Sequence, residues 1–329
     1  MRRLSTPRKH GWLLVAWLAA GFLQGDLAAV AATKGAPEVP RRGEVYLFTF
    51  FRDNGQDGLY LAWSRDGLEW SEIPPPGKSF LPPMVGTKLM RDPCLRRDAK
   101  GRFHMVWTTG WNDRVIGYAS SEDLRRWTDQ RELPVMMHEP TARNAWAPEL
   151  YFDAGRDEFL VFWATTIPGR FPTTEGSSED RYNHRIFGTR TRDFLSLTPT
   201  ELFYDGGFNG IDATLFRQGR RYGMVVKDET LKPERKHLRL AWSEDPRGPW
   251  SPASPAFSAS WVEGPSVLKV GGRWHVYFDH YREPQYYGAM RTRDFVKWED
   301  ISPQVRMPKG ARHGTALAVP ASVVGALLR

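Results

Sequence analysis

Five short phrases in this sequence set a carboxylate or a histidine beside proline, glycine or alanine. They are Arg91-Asp92-Pro93, Trp146-Ala147-Pro148-Glu149, Ile211-Asp212-Ala213, Glu263-Gly264-Pro265 and Arg312-His313-Gly314. One acid–proline pair is a turn signal and no more. Recurrence ahead of successive strand-like runs is different, because four carboxylates and a histidine around one cavity could perform general acid–base chemistry. Asp92, Asp212 and Glu263 are the catalytic candidates. Arg91, Trp146, Glu149, Phe208, Trp261 and His313 lie in or just ahead of the phrases and are candidates for stacking on, or hydrogen bonding to, a ligand held there. The single cysteine, Cys94, allows no intramolecular disulfide and no cysteine metal site.

The elements that must position these residues are read from a second repeat. A phrase Ser/Thr-x-Asp ending in tryptophan or another large residue recurs at Ser64–Trp70, Ser121–Trp127, Thr191–Leu197, Ser243–Trp250 and Thr292–Trp298, with its aspartates 57, 70, 52 and 49 residues apart. Its aspartate suits a turn between strands and its tryptophan suits packing between repeats, so this motif is structural. Short alternating runs precede each copy, such as Val45–Phe51, Phe103–Trp107, Phe159–Ala164, Tyr222–Val226 and Trp274–Phe278, and no long stretch has helical period. Units of about 50 residues with four strands each predict an all-β, five-bladed β-propeller. The last run, Thr315–Val319, has no phrase after it and is expected to return and close the first blade. The first strand of every blade would line the axis, so the four acid-bearing phrases and the histidine phrase would meet at one mouth of the channel.

The N-terminus has the three-part pattern of a secretory signal. Arg2, Arg3, Arg8 and Lys9 precede the apolar run Gly11–Leu23, and Ala29-Val30-Ala31 fits a cleavage site. The expected organisation is a signal peptide over 1–32, a flexible lead-in over 33–42 and one catalytic propeller over 43–329. Without the leader the net charge falls from +8 to +5. That excess is dispersed and nowhere interleaved with aromatics as a nucleic-acid surface would be. The expectation is therefore an exported monomer, periplasmic or secreted, with no nucleic-acid partner and no membrane association after signal removal.

The blade-start phrases together resemble glycoside hydrolase family 43, a family of five-bladed propellers acting mainly on arabinofuranosides and xylosides with inversion. The resemblance covers nearly all of the chain after residue 43. It implies Asp92 as general base, Glu263 as general acid and Asp212 as the group that raises the acid's pKa. It places His313 near an axial metal or water, so no cofactor is required while a calcium on the axis is compatible with the family. The chemistry is consistent with this, since inversion needs two carboxyls about 6.5–9.5 Å apart, one protonated and one ionised. Two features depart from the family pattern: a complete unit, residues 43–75, precedes Asp92, and Glu149 stands where aspartate is usual after Trp-Ala-Pro.

Two other functions fit parts of the sequence. A retaining fructan-type propeller glycosidase would use Arg52-Asp53-Asn54-Gly55, Arg91-Asp92-Pro93 and Glu149, but it leaves Asp212 and Glu263 without a role and puts residues 52–55 in a turn. A non-catalytic carbohydrate-binding propeller would keep the aromatics without needing three convergent acids. In every case the expected partner is an oligosaccharide or polysaccharide.

Overall fold

The computed structural model describes residues 43–329. The expected signal peptide and lead-in lie outside the described residues. The described chain forms five antiparallel sheets arranged as a propeller. The first blade holds β1 (Glu44–Phe50), β2 (Tyr60–Ser64) and β3 (Ser71–Glu72), and the second holds β4 (Arg91–Arg97), β5 (Phe103–Thr108), β6 (Ile116–Ser121) and β7 (Arg131–Leu133). The third comprises β8 (Trp146–Asp153), β9 (Glu158–Thr166), β10 (His184–Thr191) and β11 (Glu201–Tyr204). The fourth has β12 (Gly210–Gln218), β13 (Arg221–Asp228) and β14 (His237–Ser243); the fifth has β15 (Val262–Val270), β16 (Arg273–His280), β17 (Tyr286–Thr292) and β18 (Trp298–Asp300). The chain ends in β19 (Ala316–Pro320) and a short helix, α1 (Ala321–Leu327).

The return strand closes the ring as the sequence predicts. β19 pairs antiparallel with β1, Glu44 opposite Pro320 through Phe48 opposite Ala316, and becomes the inner strand of the first blade. The five inner strands are thus β19, β4, β8, β12 and β15; β4 packs on β8, β8 on β12, β12 on β15 and β15 on β19, and β1 packs on β4 to join the first and second blades. The unit over 43–75 accordingly lacks an inner strand of its own until the C-terminus arrives, which is how it can precede Asp92 without displacing it.

The turn motif does what its composition suggests. Oδ1 of Asp66 accepts from the backbone N–H groups of Leu68 and Glu69, and Asp123, Asp193 and Asp294 repeat the pattern. Trp70 then packs edge-on against Tyr277 of the fifth blade, bridging blades as expected. The fourth blade departs from the four-stranded pattern. Its outer segment is Ser251-Pro252-Ala253-Ser254-Pro255, whose backbone N–H groups reach β14 only from Ser251 and Ser254, while the hydroxyls of those two serines accept the N–H groups of Trp242 and Leu240. Two prolines without donors keep that edge from becoming a regular strand.

Core packing divides between blades, and the closing segment contributes heavily to it. Val319, Ala321, Val324 and Leu327 are buried with Val45, Leu47, Trp63 and Leu95 in one cluster. Fully burying an aliphatic side chain is worth about 1.5–3 kcal/mol, so these side chains supply a sizeable share of a domain's net stability of about 5–15 kcal/mol. Deleting residues 311–329 should therefore abolish cooperative unfolding, leaving β1 as an open edge; a truncated chain that melts as sharply and at the same temperature as the full one would show that closure is dispensable.

Candidate active site

Each of β4, β8, β12 and β15 begins with the same distortion. Its pairing with the second strand slips between Arg91 and Cys94, Trp146 and Glu149, Ile211 and Thr214, and Glu263 and Ser266. At the second residue of each slip the backbone is left-handed: Asp92 φ 52°, Ala147 φ 47°, Asp212 φ 53° and Gly264 φ 59°. Such a bulge re-aims one side chain out of the strand's alternation, and holding a non-glycine residue there costs on the order of 1–3 kcal/mol.

The sequence expectation of acids at one repeated position is refined by this register. Only Asp92 and Asp212 share the bulge position. Glu263 enters one residue earlier, level with Arg91, Trp146, Ile211 and Arg312, while Glu149 lies two residues later, level with Cys94, Thr214, Ser266 and Thr315. The bulge places of the third and fifth blades are filled by Ala147, which lines the cavity, and Gly264, whose missing side chain leaves room for His313. A Cβ on Gly264 would stand 2.3 Å from the His313 ring.

Asp92, Asp212, Glu263 and His313 meet in a cavity of about 450 Å³ at the axis, together with Arg91 and Trp146. Three further candidates do not reach its wall. Glu149 is buried one layer below, where Arg96, Thr214 and Thr315 hold its carboxyl. Phe208 is part of the hydrophobic core between the third and fourth blades. Trp261 sits outside the cavity, its indole N–H donating to Glu234 and its face covered by Arg282. Asp53, the alternative nucleophile, lies in the turn after β1 and also misses the cavity.

His313 is the electrostatic centre of the floor. Its Nδ1 lies 3.3 Å from Oδ1 of Asp92 and 4.0 Å from Oδ2 of Asp212. Burial disfavours the imidazolium, but the hydrogen bond to Asp92 and the charges of Asp212, Asp92 and Glu149 outweigh it and raise the pKa to about 9. Asp92 is the complement. Burial opposes its charge, yet His313, Arg91 and a 2.7 Å hydrogen bond from Thr108 hold it at about 2. Asp212 is driven the other way, to about 6. Burial is the main cause, His313 and Lys227 offset part of it, and the charges of Glu263 and Asp92 reinforce it. Its Oδ2 accepts the backbone N–H of Gly264 at 3.0 Å.

Glu263 is gripped by two cations that the sequence phrases do not contain together. Lys227 reaches Oε2 at 3.2 Å and Arg312 reaches Oε1 at 3.1 Å. Each cation is held from behind: Lys227 by Glu229 at 2.5 Å, and Arg312 by the fully buried Asp279, which also accepts from Gln285 at 2.8 Å. Glu229 in turn pairs with the buried Lys236, and Lys236 with Glu179 on the rim. Asp212 has no such grip: burial dominates there, and His313 comes no nearer than 4.0 Å.

Lys227, Glu229, Tyr281, Trp111, Thr108 and Glu179 also line the cavity and escape the reading of the sequence. Thr108 and Lys227 stand at or next to the last residue of a blade's second strand, which runs antiparallel to the inner strand and so ends at the same mouth. Charged residues closing an apolar strand, as in Val225-Val226-Lys227-Asp228, were the available signal. An axial calcium would find a poor set of ligands at this floor. His313 is held as a cation against Asp92, and among the described residues no group of three or more His, Cys, Asp or Glu side chains is arranged for a metal ion.

The Gly264–His313 contact gives a direct check on the floor. Gly264→Ala combines a left-handed backbone with a methyl group inside the imidazole ring, so it should lower Tm by about 5–10 °C and move His313 from between the two aspartates. An unchanged Tm, read by calorimetry, would mean that the contact is not tight.

Comparison with known proteins bears on the whole described chain. A family model for glycosyl hydrolase family 43-related domains, described as a probable glycosyl hydrolase domain, matches residues 43–323. Over 177 residues the sequence is 25% identical to an alpha-L-arabinofuranosidase of Bifidobacterium longum, a match covering 46% of this chain and 16% of that much longer protein. In fold, the chain is similar to an endo-1,4-beta-xylanase of Bacteroides thetaiotaomicron, with a TM-score of 0.56 and 13% identity over 83% of this chain and 93% of the other. It is also similar to a family-43 beta-1,3-galactosidase, with a TM-score of 0.54 and 14% identity over 77% of this chain and 55% of the other. The match over residues 43–323 shows that this chain belongs to the glycosyl hydrolase family 43-related proteins.

Proposed function

We propose that this chain hydrolyses glycosidic bonds of arabinofuranosides, xylosides or related units in plant-derived oligosaccharides, with inversion at the anomeric carbon. The observation that carries the reading is the axial cavity, where Asp92, held ionised, faces Glu263 and Asp212 from blades not adjacent to its own. In a five-membered ring such blades are as far apart as the ring permits. That spacing leaves room for a sugar and a water between base and acid.

Asp92 on β4 takes the proton of the attacking water. Its low pKa keeps it available as a base across the working pH range, and Thr108 and His313 orient its two oxygens. Glu263 on β15 protonates the leaving oxygen. To do so it must accept a proton and give up part of its contact with Lys227 and Arg312, whose donors turn to the hydroxyls of the bound sugar.

One observation favours a second assignment, with Asp212 as the proton donor. Asp212 carries the raised pKa, about 6. Its Oδ2 and Oδ1 of Asp92 lie 4.0 and 3.3 Å from the same His313 nitrogen, which makes the two carboxyls close neighbours across the floor. In that case Lys227, Arg312 and Glu263 form a polar clamp on the substrate. We further propose that the chain is exported, on the strength of its N-terminal pattern, and acts as a monomer, because its five blades close into one ring; a mature N-terminus still at Met1 on exported protein would remove the export part.

Three variants separate the readings. Asp92→Asn should lower kcat by about a hundredfold or more on every substrate. Glu263→Gln should do the same on an oligosaccharide yet spare much of the activity on nitrophenyl glycosides, whose leaving group needs no proton, if Glu263 is the donor. Asp212→Asn should then keep activity and move only the alkaline limb. If Asp212 is the donor, Asp212→Asn takes the loss instead, and wild-type kcat/KM falls as pH rises through about 6, where the donor loses its proton. The product first seen by NMR should be the inverted anomer. Retention would favour the fructan-type mechanism, and no turnover of any glycoside would favour a binding propeller.

A further inference from the structure

The cations around the cavity are all committed except one. His313 faces Asp92 and Asp212, Lys227 is held by Glu229 and Glu263, and Arg312 by Asp279 and Glu263. Arg91 pairs with no carboxylate among the described residues. One of its donors, on Nη1, is used by the side chain of Asn54 at 3.1 Å. Its guanidinium carbon lies 4.7 Å from the ring centre of Phe51 and 4.4 Å from that of Trp111.

Aromatic packing of this kind immobilises a guanidinium while leaving its edge donors free. A planar group with fixed donors binds a carboxylate through paired hydrogen bonds far better than it binds a lone hydroxyl. Trp111 adds a platform beside it. It is 45% exposed, lines the cavity and meets Trp146 edge-on at 5.4 Å, and its backbone carbonyl accepts the Trp146 indole N–H at 3.0 Å. A sugar ring stacked on Trp111 would bring its substituents to the Arg91 edge.

We propose that Arg91, fixed by Asn54, Phe51 and Trp111, is a carboxylate-binding subsite at the cavity wall, and that the substrates of this chain carry a uronic acid unit next to the bond cleaved. This assignment rests on the glycosidase reading for the word substrate, but the binding site itself stands on the geometry alone. None of the cavity's acids takes Arg91 as its ion-pair partner: Asp92 and Asp212 face His313, Glu263 faces Lys227 and Arg312, Glu229 faces Lys227 and Lys236, and Glu179 faces Lys236.

Calorimetric titration of the full chain tests it, with glucuronic- and galacturonic-acid oligosaccharides and the same oligosaccharides after carboxyl reduction. The acidic forms should bind about tenfold tighter or more, and the preference should shrink as salt is raised. Arg91→Gln should abolish the preference, and Asn54→Ala, which keeps the charge but frees the guanidinium, should reduce it. Equal affinity for acidic and reduced forms in the wild-type chain overturns the proposal, whatever the variants do, as does a preference that survives Arg91→Gln. An oligosaccharide bearing sulfate esters in place of its carboxylates that binds as tightly as the uronate overturns the carboxylate assignment. Hydrolysis of neutral and acidic oligosaccharides at equal kcat/KM with equal affinity removes the subsite and keeps the glycosidase. Arg91-dependent uronate binding without turnover of any glycoside keeps the subsite and removes the glycosidase.

Discussion

The ladder between β19 and β1 is the contact on which the rest of the molecule depends. It joins the two ends of the described chain through five residue pairs and converts an open row of sheets into a ring. Without it the first blade has no inner strand, and the residue just ahead of β19, His313, has no fixed place. Thr49 ties the two together again: its hydroxyl donates to the Pro93 carbonyl at 2.6 Å and accepts the Thr315 N–H at 3.1 Å, linking the second blade, the first and the returning strand. Closure and the floor of the site are therefore one structural event.

Once the ring is closed, the chemistry of the cavity is a matter of how charges are shared. Five carboxylates and four cations line the wall in a partly desolvated space. Each acid's state follows from the cation nearest it. Asp92 has an imidazolium and an arginine beside it and stays ionised, whereas Asp212, more deeply buried, has only a more distant share of His313 and Lys227 and rises toward neutrality. Glu263 is held by two cations, each anchored by its own buried or half-buried acid. Two carboxylates in the same bulge position thus acquire opposite character from their surroundings alone.

The turn aspartates illustrate the opposite case, in which local sequence suffices. Asp66, Asp123, Asp193 and Asp294 each cap two N–H groups within three residues, so their role was legible from the phrase that contains them. The prolines at 252 and 255 could equally have been read as spoiling the outer edge of the fourth blade, since each removes a donor whatever lies around it.

By itself the sequence determined the number of blades, the turns that repeat in each, the return of the last strand and the convergence of Asp92, Asp212, Glu263 and His313 on one axis. All of these follow from periodicity and residue type, which act within a few residues along the chain or through a regular repeat. Only the tertiary structure decided that Glu149 sits a layer too deep, that Phe208 and Trp261 face elsewhere, and that Lys227, Glu229, Trp111 and Tyr281 complete the wall. A one-residue offset inside a bulge changes which way a side chain points, and nothing in the spacing of the phrases reveals that offset. The protonation states were likewise beyond the sequence, because a buried carboxyl answers to the charges within a few ångströms of it, and here those charges come from other blades.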